Sequence, residues 1–74
     1  MRKAVTAFRD QVTSILESTY PHRGEVVALR LRYHELELLR RLAQRHYGVV
    51  LPSLGGGTTV DELVLAFEQA CREA

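Results

Sequence analysis

The stretch Val26–Ala43, VVALRLRYHELELLRRLA, changes its hydrophobic period half-way along. Val27, Leu29 and Leu31 alternate with Val26, Ala28, Arg30 and Arg32, so an extended segment carries the first three on one side and the other four opposite. Past Tyr33 and His34, Leu36, Leu39, Leu42 and Ala43 recur at helical spacing, with Arg40, Arg41, Gln44 and Arg45 on the other face. A switch from period 2 to period 3.6 predicts a strand over 26–32 running straight into a helix over 34–47.

Upstream, Val5, Phe8, Val12, Ile15, Leu16 and Thr19 follow the i, i+3/i+4, i+7 pattern, with Arg2, Arg9, Asp10, Gln11 and Glu17 opposite. This is an amphipathic helix within residues 1–21, ended by Pro21, because the residue before a proline avoids the helical region. Pro21-His22-Arg23-Gly24 then reads as a turn. Its mixed polar face suits packing on a core better than lying on a membrane.

Downstream, Gly48 can take the left-handed conformation that closes a helix. Residues 48–57 read as a loop: a short apolar run, Val49-Val50-Leu51, and then the flexible Pro52-Ser53-Leu54-Gly55-Gly56-Gly57. Thr58 or Thr59 caps a last helix over 59–73, with Asp61 and Glu62 in its first turn and Val60, Leu63, Val64, Phe67, Ala70 and Cys71 as its apolar face. The expected class is mainly α with one short strand, in the order helix, strand, helix, helix, within one domain.

The 74 residues bound what such a chain can do. A domain this short buries only about 60% of its unfolded surface, so its core is marginal alone. One cysteine excludes an internal disulfide, and a partner chain is then the most economical source of further burial. The net charge of +1 hides an uneven distribution: +1 over residues 1–21, +3 over 22–47 and −3 over 48–74. A basic middle allows a local anion-binding face without an extreme overall charge. No apolar run approaches a membrane span, and a lone cysteine with no signal-peptide core suggests the cytoplasm.

Catalytic arrangements are not visible. Ser14, Ser18 and Ser53 lie in no nucleophile elbow, and Cys71 reads as a small buried hydrophobe. His22, His34 and His46 are twelve apart, which is not the spacing of a helical metal site. Gly55-Gly56-Gly57-Thr58-Thr59 precedes a helix but lacks the lysine and glycine spacing of a phosphate loop. No enzyme activity, cofactor or metal is expected.

Strand, helix, turn, helix in a short chain resembles the ribbon-helix-helix family of DNA-binding proteins. The likeness covers Val26–Ala43 and Thr58–Cys71. It implies a homodimer with paired strands forming an antiparallel ribbon in the major groove, here with an extra N-terminal helix. Such a protein would be a small transcriptional regulator. The outward residues Val26, Ala28, Arg30 and Arg32 would then face the bases, Arg30 and Arg32 as guanine readers and Ala28 against a thymine methyl. By the same resemblance the amides of Thr58 and Thr59 would clamp a phosphate. Arg40, Arg41 and Arg45 read equally as phosphate contacts or as a solvated helix face. The chain departs from the family in Val26 and Ala28, where polar readers are usual, and in the long connection 49–57.

A second resemblance is to the acyl carrier proteins. Tyr47-Gly48-Val49-Val50-Leu51-Pro52 followed by Thr58-Thr59-Val60-Asp61-Glu62-Leu63-Val64 looks like the second half of that all-α bundle. The family carries phosphopantetheine on a serine within Asp-Ser-Leu. Here the corresponding positions read Arg32-Tyr33-His34, so the resemblance implies an interaction module with a protein partner and no attached group.

Overall fold

Residues 2–20 and 29–73 are described by a computed structural model. They form α1 (Arg2–Thr19), β1 (Arg30–Leu31), α2 (Tyr33–Tyr47), β2 (Thr58–Thr59) and α3 (Val60–Glu73). The protein is mainly helical, with β1 and β2 making a small antiparallel sheet in which Arg30 faces Thr59 and Leu31 faces Thr58. Among the described residues no helix is long and apolar enough to cross a membrane.

The helices bury the faces their periodicity marks. Phe8, Val12 and Leu16 of α1, Leu36, Leu39 and Ala43 of α2, and Val60, Leu63, Val64 and Phe67 of α3 form one core with Leu31 and Leu51. Its centre is aromatic. Phe8 stacks on Phe67 at 4.1 Å between centroids, and Tyr47 meets both rings edge-on, at 5.9 and 5.5 Å. Edge-on geometry points the positive ring edge at a negative ring face, adding to what burial supplies. The Tyr47 hydroxyl donates to Gln11 Oε1 at 2.8 Å, so its polar end is satisfied as well.

Both helix ends predicted from cap chemistry are present. Gly48 takes φ +66°, its N–H donates to Gln44 O, and Val49 N–H reaches Ala43 O, closing α2 with a left-handed glycine cap. At the start of α3, Glu62 N–H donates to Thr59 Oγ1 while Glu62 Oε1 accepts from Thr59 N–H. That reciprocal pair is a capping box.

Three expectations need correction. The strand predicted over 26–32 is two residues long where it is described, because Arg32 leaves the ladder to serve as the N-cap of α2. Residues 26–28, and so Val26, Val27 and Ala28, lie outside the described residues, as does the turn at 21–24. The stretch Thr58–Thr59, expected only as loop and cap, is also a strand, and it is the hydrogen-bonded neighbour of β1. Finally, Ile15 and Thr19 sit outside the core of α1, which packs on α3 through the Phe8, Val12 and Leu16 stripe. Ile15 is 38% exposed, and the Thr19 hydroxyl turns back to its carbonyl at 2.9 Å.

Candidate functional site

The basic residues singled out by the sequence cluster around α2 and the β1–β2 pair, but the fold gives them different employment. Arg30 is exposed, and its guanidinium donates to Gly57 O at 3.2 Å. Gly57, at φ +93°, returns its N–H to Leu31 O at 2.8 Å. Thr58 donates from both its amide and its hydroxyl to Gly55 O, at 3.3 and 2.7 Å. The glycine-rich segment is thus tied to β1 and to itself. The amides of Thr58 and Thr59, expected as a phosphate clamp, already donate to Gly55 O and to Glu62 Oε1. Neither is a free donor.

On α2 the arginines divide. Arg40 is half-buried, with Nε on Leu51 O at 3.3 Å and a guanidinium nitrogen on Glu37 at 2.7 Å. It ties the 48–57 loop to the helix. Arg41 and Arg45 are exposed and make no hydrogen bond or ion pair among the described residues; the same holds for the Arg32 side chain. Counting i, i+4, i+7 and i+11 along the helix, His34, Leu38, Arg41 and Arg45 share one exposed stripe.

The first turn of α2 is anchored from below. Glu35 accepts the backbone N–H of Arg32 at 2.8 Å and the hydroxyl of Tyr20, which comes from the end of α1. Burial pushes the Glu35 carboxyl up, but the Tyr20 hydroxyl, the Arg32 N–H and the positive charges of His34 and Arg32 outweigh it. The carboxyl therefore lies below the usual glutamate value. Neither member of the Tyr20–Glu35 pair stood out in the sequence. The capping-box signature that reveals a glutamate at this position needs a serine or threonine three residues earlier, and Arg32 is there instead.

Arg32, Tyr33 and His34, the positions where carrier proteins hold Asp-Ser-Leu, are all exposed at the start of α2, Tyr33 to 60%. Beside them a groove of about 180 Å³ runs between the end of α1 and the start of α2. Its walls are Ile15, Leu16, Thr19 and Tyr20 on one side and His34, Glu35, Leu38 and Leu39 on the other. Leu38 is 61% exposed, and with Ile15 it forms an apolar rim. Compared with protein-family models, with curated proteins and with solved structures, the chain matches none.

Proposed function

We propose that this chain is a non-catalytic, acyl-carrier-protein-like interaction module, a small helical bundle that meets a protein partner through the exposed side of α2 and carries no phosphopantetheine. The observation that carries the reading is closure of the fold within one chain. β1 finds its hydrogen-bonded neighbour in the chain's own β2, and α1 puts Phe8, Val12 and Leu16 into the same core as α2 and α3. A ribbon dimer draws its burial from a second copy, whereas here the three helices cover one another. The absence of a serine from Arg32-Tyr33-His34 removes the attachment chemistry, and the exposed stripe of α2 is left as the surface with most to offer.

The second reading is the small dimeric DNA-binding regulator. It is favoured by the exposure of Arg30 in β1 and of Arg32 at the N-cap of α2, together with the exposed Arg41 and Arg45. Sedimentation velocity and a duplex-DNA titration at about 50 and 200 mM salt separate the two, since phosphate contacts make affinity fall steeply with salt. The module reading expects a single-chain species with no salt-dependent DNA affinity. A dimer that binds DNA strongly at low salt, and loses its specific shift on Arg30→Ala, would overturn it in favour of the regulator.

A further inference from the structure

The acidic groups of α2 are engaged within the fold, and the two arginines of its outer stripe are left without an ion pair among the described residues. Glu37 is held by Arg40, and Glu35 by Tyr20 and the Arg32 amide. Arg41 and Arg45, one turn apart, make no ion pair among the described residues; the carboxylate beside Arg41, Glu37, is the one Arg40 holds, and Leu38 lies one turn before them beside Ile15. We propose that this stripe, His34, Leu38, Arg41 and Arg45 with the Ile15 rim, docks an acidic amphipathic helix of a partner protein. The inference rests on the interaction-module reading and names the chemistry of its partner.

Charge and apolar surface together select that occupant. A helix with an aliphatic or aromatic side chain flanked by glutamates would seat the apolar group in the groove between Ile15 and Leu38. Its carboxylates would then meet the two guanidiniums, which suit bidentate pairing. A nucleic-acid backbone would satisfy the arginines but would leave Leu38 and Ile15 facing phosphate oxygens. A second copy of this chain is also a poor fit. The acids of α3 are largely engaged at home: Asp61 with Arg9, Glu62 in the capping box and Glu68 with Arg72.

The test is a titration of isotope-labelled full-length chain followed by amide chemical shifts, with a helical peptide of leucines and glutamates as probe. Its lysine-for-glutamate counterpart and a short DNA duplex are run in parallel. The expected result is a set of shifts confined to Ile15, His34, Leu38, Arg41, Arg45 and their neighbours, weakening with salt. The double variant R41E/R45E, at two exposed positions that make no hydrogen bond or ion pair among the described residues, should lose roughly tenfold or more in affinity for the acidic peptide and gain the basic one. L38A should weaken binding without altering its salt dependence. If the basic or an uncharged peptide occupies the same stripe more tightly, the acidic chemistry is overturned while the module reading stands. Tighter occupation by the duplex, with a dimeric chain, overturns both. Shifts that are absent or scattered over α3 overturn the docking surface itself.

Discussion

Glu35 is the residue at which most of the local architecture converges. One carboxyl oxygen finishes the first turn of α2 on the Arg32 amide, and the other receives the Tyr20 hydroxyl from α1. Because its carboxyl titrates below the usual 4.5 in the folded chain, the unfolded chain takes up the proton first as the pH falls. The stabilisation is therefore complete above 4.5 and is lost as the pH drops through the lower, folded value. Glu35→Gln keeps the shape but cannot ionise; its one carboxamide oxygen can still accept the Arg32 N–H, while its NH2 would meet the Tyr20 hydroxyl as a donor. Chemical denaturation between about pH 5 and pH 3 should show a shallower loss of stability for E35Q than for the parent. Identical slopes would remove Glu35 from the acid response.

At the scale of elements, the ends of α2 and α3 depend on two positions with different physics. Gly48 needs φ +66°, and a methyl group placed on it would meet no atom within 4 Å. Gly48→Ala therefore isolates the backbone cost of the left-handed conformation, about 1–2 kcal/mol, read as a lowered urea midpoint with an unchanged slope. Thr59 works through its side chain, which accepts the Glu62 amide at the start of α3. Thr59→Ala should cost about 1 kcal/mol, whereas Thr59→Ser, which keeps the acceptor, should cost less than half of that. Equal losses in the two variants would assign the effect to the β2 pairing rather than to the cap. The Arg9–Asp61 ion pair joins α1 to α3 at 3.0 Å, but with Asp61 about two-thirds exposed it adds little.

For the whole molecule, the weight rests on the aromatic cluster where all three helices meet. Phe8 and Phe67 are fully buried and stacked, and Tyr47 closes the cluster from the far end of α2. Stability for a chain of this length is on the order of 4–11 kcal/mol in total. Phe67→Ala removes a fully buried ring at a cost of about 3–5 kcal/mol and should leave the chain close to unfolded at 25 °C by circular dichroism. A loss below 1 kcal/mol would show that the helices are held elsewhere. The same packing explains why the outer stripe of α2 is free for a partner. With Leu36, Leu39 and Ala43 turned to the core, the helical repeat carries Leu38, Arg41 and Arg45 outward.

What the sequence determined by itself was local: three helices, the apolar face of each, the Gly48 stop and the threonine start of α3. Those features are set by neighbours within about one turn, through the 3.6-residue repeat and through caps, so a short window contains all the physics. The period switch around Tyr33 and His34 was legible too, and it falls within two residues of the point where β1 gives way to the N-cap and α2. Its meaning was not. Which segment pairs with β1, and whether that segment lies in the same chain, depends on Thr58 and Thr59 meeting residues 27 and 29 positions earlier. The candidate site was legible as a list of arginines, yet Arg40 and Arg30 are bound to carbonyls 11 and 27 residues away, and the Arg32 charge acts on Glu35, while Arg41 and Arg45 make no hydrogen bond or ion pair among the described residues. Ile15 belonged to the apolar repeat of α1 and still came to rest, 38% exposed, on the rim of the groove between α1 and α2. Tertiary structure decided these matters, since each rests on a contact between segments whose separation no local pattern encodes.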